Sequence, residues 1–340
     1  MMTSTHPTPT LAPNPPATDV PKQTSRRFRD VALLAVIFGF VIAGLVGLAA
    51  ATGWDETKEQ LSKLGWAQVV ILMLLSLVNY VFRGLRWHVF ARRMGLRTTL
   101  WQNLRHFIGG FAMSVTPGRV GELIRMRWLK RETGWAMERT APLVLMDRAS
   151  DLAAMAILLG LGVALGARDV AFAPAVAVAA LLAAFVATRP ALLLSFARTF
   201  YRISGVFPRI WARIARAAKS LSAVSSPSAA TFGLWLGLVG WLAEGYAFYL
   251  LLDWMGAGIG LAQAVTIFTF STLAGGLTGA PGGVGGAEAA MIALLTLAGV
   301  PPEASIPATA VIRITTLWFA ILLGLMVFPI AERYSNKGSS

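Results

Sequence analysis

Charged side chains are scarce in this chain, so the few inside apolar runs are the ones that could do chemistry. Asp147, Arg148 and Asp151 lie in the apolar stretch 141–167, Glu244 in 231–252 and Arg313 in 306–331. On a helix Asp147 and Asp151 share a face at i,i+4, and Arg148 reaches Asp151 at i,i+3. A charge at the centre of a bilayer costs about 2.5–3.5 kcal/mol even on the lenient insertion scale. Such groups mark either an internal ion pair that locks helices or a polar path for a charged substrate. Glu244 has no partner nearby in sequence and must face protein or water, and Arg83 at the end of 66–82 is long enough to snorkel to the interface.

Two further carboxylates follow a shared motif. Thr116-Pro117-Gly118-Arg119-Val120-Gly121-Glu122 returns as Ala280-Pro281-Gly282-Gly283-Val284-Gly285-Gly286-Ala287-Glu288. Proline removes a backbone donor and glycine permits positive φ, so Pro117, Gly118, Gly121, Pro281, Gly282, Gly283 and Gly285 should break helix. At membrane depth such a break is tolerated only where it is buried in protein or lines a wet cavity. Helices should restart at Val120 and Ala287, each turning its positive dipole end back toward the break, where an anion such as phosphate is favoured. Glu122 and Glu288 fall in the first turns, as helix caps or as parts of a substrate site. The doubled Gly285-Gly286 moves Glu288 two positions further from its proline than Glu122 is from Pro117.

Those residues sit in a membrane protein. The 340 residues are 56% hydrophobic and 14% charged, against about 25% charged in a soluble domain. About six stretches could each span a hydrocarbon core about 30 Å thick: 31–51, 66–82, 141–167, 170–188, 231–252 and 306–331. Cysteine is absent and histidine occurs only at 6, 88 and 106, so no metal site, thiol chemistry or disulfide is expected, and no cofactor. Residues 1–29 are rich in Pro and Thr and read as a disordered tail.

The net charge of +14 is distributed as membrane topology demands, and no nucleic-acid partner is inferred. Positives precede 31–51, the 52–65 loop is net acidic, and 83–105, 119–139 and 189–219 are basic. By the positive-inside rule both termini and these basic stretches are cytoplasmic. The pieces 100–116 and 261–299 then enter and return without crossing, from opposite faces. In the basic loop 189–230, PRIWARIARAAKSL segregates Ile210, Ile214 and Leu221 from Arg209, Arg213 and Arg216. That pattern fits either a helix on anionic headgroups or a loop that only obeys the topology rule.

The chain thus reads as all-α and polytopic, with two re-entrant broken-helix hairpins. Pro117 and Pro281 are 164 positions apart, Arg148 and Arg313 are 165 apart, and Leu100-Trp101-Gln102 echoes Leu261-Ala262-Gln263. Two copies of one unit, about 66–167 and 231–331, are separated by an odd number of crossings. They form an inverted repeat, the architecture of alternating-access transporters.

SVTPGRVGELIRMRWLKRETG, then PLVLMDRASDL, then GAPGGVGGAEAAM resemble the signature blocks of the lysylphosphatidylglycerol synthase transmembrane family over about 30–332. The resemblance implies a flippase-like inner-membrane domain, moving an aminoacylated, anionic or isoprenoid lipid between leaflets and performing no catalysis. Matched by position are Pro117, Gly118, Arg119, Gly121, Glu122, Asp147 and Arg148, and then Pro281, Gly282, Gly283, Gly285 and Glu288. With Asp151 and Arg313 added from their depth, the expected substrate-binding set is Arg119, Glu122, Asp147, Arg148, Asp151, Glu288 and Arg313. The full synthases add an aminoacyl-transferase domain, which residues 333–340 leave no room for, so lipid synthesis is not expected. A transporter of a small soluble anion and a lipid-phosphate transferase are the alternatives. Membrane lipid is the expected partner, and a homodimer is compatible with the sequence.

Overall fold

The computed structural model describes residues 39, 54–114, 120–166, 170, 172–204, 211, 221–222 and 224–337. The 1–29 tail, nearly all of 31–51, most of the amphipathic stretch 208–221, and the break residues Pro117 and Gly118 with Arg119 lie outside them. Among the described residues the chain is helical, with no strand, as expected for an all-α membrane protein.

The elements are α1 (Trp54–Ser62), α2 (Trp66–Arg93), α3 (Leu100–Gly109) with a 3-10 turn (Gly110–Met113), α4 (Val120–Thr133), α5 (Met137–Ala164), α6 (Ala173–Thr188) and α7 (Pro190–Ser204). They continue with α8 (Pro227–Trp254), α9 (Leu261–Leu277), a 3-10 turn (Pro281–Gly283), α10 (Gly286–Leu297), α11 (Pro302–Arg313), a π turn (Ile314–Trp318) and α12 (Phe319–Lys337). Local chemistry sets several of the starts. Thr99 and Gln102 exchange hydrogen bonds as a capping box before α3, while the Ser226 hydroxyl accepts from the Ala229 N–H and Pro227 opens α8. The long helices α2, α8 and α11–α12 are apolar and long enough to cross a membrane. Helix α5 matches α2 and α8 in length, at 28 residues, but carries its charged residues inside the span.

The sequence expectation ended the second span at 82 and gave Arg83 and Arg86 to a cytoplasmic loop. Instead α2 runs on to Arg93 and buries both. Arg125, counted with the basic stretch 119–139, is buried too. The positive-inside rule counts cations and is blind to which of them have internal partners. Within 189–230, residues 190–204 are helical and α8 already begins at Pro227.

The packing is reciprocal. Helix α2 packs chiefly against α8, and Gly233, Gly237 and Gly240 on α8 face Phe90, Arg86 and Asn79 of α2, so no Cβ intervenes and the helices approach closely. The α3–α4 hairpin lies against α12, which ends the second unit, while α9 lies against α5, which ends the first. Such an exchange of partners is what two units related by a two-fold axis would give. The helix starts repeat at an offset of 161 both for Trp66 and Pro227 and for Leu100 and Leu261. The larger offsets of 164 and 165 appear only from the prolines onward, so the extra residues lie in the longer α9 arm of the second hairpin.

Candidate functional site

Arg83 and Arg86, one turn apart on α2, face Asp147 and Asp151, one turn apart on α5. Arg86 donates to Asp147 Oδ1 through Nε at 3.0 Å and Nη2 at 2.5 Å, and its Nη2 also reaches Asp151 Oδ1 at 2.7 Å. Arg83 donates to Asp151 Oδ2 at 2.7 Å, and the indole N–H of Trp241 on α8 donates to Asp151 Oδ1 at 3.0 Å. Arg86 and Asp147 are almost wholly shielded from solvent. Glycine at 237 is required by this cluster, because a Cβ there would stand 2.9 Å from Arg86 Nη1. Breaking one partner from such a buried pair leaves an uncompensated charge, which in buried pairs costs about 3–5 kcal/mol.

Beside this cluster lies the end of the first break. Arg148 on α5 meets Glu122 in the first turn of α4, with Nε 2.6 Å from Oε1. Neither atom has a hydrogen-bond partner, so the contact is one of charge without aligned donor geometry. The Arg148 side chain is 35% exposed and Glu122 19%. Arg148 also reaches Asp151 Oδ2, at the longer distance of 3.4 Å. The neighbour expected from i,i+3 spacing is therefore the minor partner. Gly121 packs on the Gly110 carbonyl, and any side chain there would collide with it. One turn into α4, Arg125 lies 4.1 Å from the centre of the Phe107 ring, with Phe111 and Trp87 at 5.4 and 5.7 Å.

The second break is resolved throughout. Gly282, Gly283 and Gly285 have φ of 66°, 68° and 85°, which only glycine adopts without strain. Glu288 accepts from the Gly285 N–H at 2.7 Å and from Arg313 Nε at 2.6 Å, while Arg313 Nη2 donates to the Gly282 carbonyl at 3.2 Å. The carboxylate is thus the helix cap that the sequence offered and, in addition, the partner of an arginine. Arg313 and Glu288 are only 9% and 7% exposed. Arg313 is followed by the π turn, where Tyr80 of α2 donates to the Thr316 carbonyl.

Of the expected set, Glu122, Asp147, Arg148 and Asp151 converge on one centre, and Glu288 and Arg313 on another. Arg119 lies outside the described residues. Glu244 is buried on α8 with Arg83, Arg313 and Asp151 as its electrostatic neighbours. The sequence reading missed Arg86 and Arg125, and also the pairing of each motif glutamate with an arginine. The nearly equal separations from Glu122 to Arg148 and from Glu288 to Arg313 were the available signal. A third polar cluster ties the first hairpin to α12: Arg105 donates to Glu132 at 2.6 Å, and Trp128 and Arg131 donate to Glu332 at 2.7 Å. Among the described residues no three metal-ligating side chains converge.

Two arginine–glutamate pairs at interrupted helices, embedded in an all-helical membrane domain, define a class of polytopic protein with a polar centre. The particular family follows from comparison. The model of the lysylphosphatidylglycerol synthase TM region matches residues 32–324, so the chain belongs to that family. A UPF0104 membrane protein of Methanothermobacter thermautotrophicus is 25% identical over 331 residues, covering 87% of this chain and 97% of the relative. A second UPF0104 membrane protein of that organism is 24% identical over 283 residues, covering 76% and 82%.

Proposed function

We propose that this protein is a multi-pass inner-membrane lipid translocase of flippase type. It moves an anionic or aminoacylated phospholipid, or an isoprenoid lipid, between leaflets and does no covalent chemistry. Both termini are cytoplasmic, and the hairpins 100–133 and 261–297 enter from opposite faces and return. The observation that carries this reading is the pair of matched contacts, Arg148 Nε to Glu122 Oε1 and Arg313 Nε to Glu288 Oε1, each 2.6 Å. In the structure one pair is half-open and the other closed over, as two gates of an alternating-access carrier should be in any one state. The exposed Leu123 beside Glu122 gives the open pair an apolar rim, which suits a headgroup whose tails stay in the bilayer.

In this mechanism the anionic headgroup competes with Glu122 for Arg148. A guanidinium binds phosphate through two parallel donors, whereas an ammonium acts as a point charge. Release on the other side requires the Arg313–Glu288 pair to open in turn. Asp147, Asp151, Arg83 and Arg86 hold α2 and α5 in register beneath the site. The test is translocation of a fluorescent phosphatidylglycerol in reconstituted vesicles. Arg148→Lys should keep the fold and lower the rate tenfold or more. A wild-type rate equal to that of empty vesicles, or full activity in Arg148→Ala with Glu122→Ala, would overturn the proposal. Uptake of inorganic phosphate without lipid movement would move the substrate to a small soluble anion.

A further inference from the structure

Among the described residues four arginines gather at the first centre, Arg83, Arg86, Arg125 and Arg148, against three carboxylates, Glu122, Asp147 and Asp151. Each carboxylate is already engaged by a cation other than Arg125: Asp147 by Arg86, Asp151 by Arg83 and Arg86, Glu122 by Arg148. Glu244 has Arg83, Arg313 and Asp151 as its electrostatic neighbours. Arg125 is the cation left over. It is 2% exposed, and its Nε and Nη1 have no hydrogen-bond partner. Around it are the ring faces of Phe107, Phe111 and Trp87, which favour a cation but accept no strong hydrogen bond. Its stem lies against Gly110, where a Cβ would strike Nε and come within 2.9 Å of Cγ, so the absence of a side chain at 110 makes its place. Asp147, Arg148, Glu122 and Arg83 are its electrostatic neighbours, none of them bonded to it, and of these Arg148 and Glu122 are partly exposed.

We propose that Arg125 is the anion-receiving group of this centre. A phosphate carrying one negative charge enters past Arg148 and Glu122 and supplies the missing counter-charge to its guanidinium. A buried unmatched cation is costly when empty and becomes favourable when an anion fills the site. The aromatic rings make up part of that cost in the empty state and leave the free N–H groups for the ligand. That the phosphate belongs to a lipid rests on the translocase reading; that Arg125 receives it does not.

The experiment is thermal unfolding of the purified full chain in detergent, with dihexanoyl-phosphatidylglycerol, inorganic phosphate or a short-chain diacylglycerol added. The wild type should be stabilised by the phosphatidylglycerol, by several degrees at saturation, and not by the diacylglycerol. Arg125→Gln should melt at or above the wild-type temperature without ligand, and should lose the ligand shift. Arg125→Lys should fold and keep a reduced shift. Loss of folding in Arg125→Gln, or a ligand shift equal to that of the wild type, would overturn the proposal and leave Arg125 as packing. An Arg125-dependent shift with inorganic phosphate alone would keep the assignment and make the ligand a soluble anion. Because the measurement needs no transport, failure to move lipid in vesicles would count against the translocase reading and not against this site.

Discussion

The two arginine–glutamate pairs contact each other through the same atoms at the same distance, yet they are not in the same state. Arg313 and Glu288 are buried and hydrogen-bonded, and the carboxylate also caps α10 through the Gly285 N–H. Arg148 and Glu122 are partly exposed, lack aligned donor geometry, and share their surroundings with three other arginines. The second pair is satisfied by its own break; the first has more cations than its carboxylates occupy. On the proposed translocase reading, the second pair is the gate that is closed over and the first the one open to a ligand. The doubled glycine is absorbed by the left-handed Gly285, so the two-position shift of Glu288 does not prevent it from meeting the equivalent arginine.

The comparison breaks outright if the units are not inverted. Ala136→Cys and Pro301→Cys, both at exposed positions, should be labelled from opposite faces in this cysteine-free chain. Labelling of both from one side would end the two-fold reading.

The next largest effect is on the foundation of the first centre. Arg86→Met leaves Asp147 without its two donors and should lower stability by about 3–5 kcal/mol, or prevent accumulation of folded protein. Size-exclusion chromatography after heating would read it, and a melting temperature like that of the wild type would show that the aspartates find other donors.

Glu288→Gln and Glu122→Gln then separate the two pairs. The first removes a buried charge and leaves one acceptor oxygen where two serve Arg313 and the Gly285 N–H, and should cost about 2–3 kcal/mol of stability. The second acts on a half-exposed pair and should cost under about 1 kcal/mol, while translocation falls severalfold or more. Equal stability losses would erase the distinction drawn here. In stability, Gly282→Ala falls between these two. A side chain at φ 66° should cost about 1–2 kcal/mol, read as a modest drop in melting temperature. Gly118→Ala, its counterpart by motif, shows whether the first break demands the same backbone.

Much of this molecule is written locally. Hydrophobic runs of spanning length, the two Pro-Gly-x-Val-Gly motifs, and Arg148 and Arg313 each a matched distance beyond its proline could all be read from the sequence, because helix length, helix breaking and burial cost depend on near neighbours. The side of Arg83, Arg86 and Arg125 could not be read that way. A cation at a helix end looks the same whether it serves the cytoplasmic face or an internal carboxylate. The difference lies in residues far along the chain: Arg86 meets Asp147, Arg125 meets Phe107, and Glu122 chooses Arg148, which sequence spacing had assigned to Asp151. Sequence alone determined that charges had to be buried at repeated broken helices. Tertiary structure decided which cation met which carboxylate, since in a low-dielectric interior the pairing follows from which faces α2, α4 and α5 bring together, and Arg125 was left against aromatic rings instead of a carboxylate.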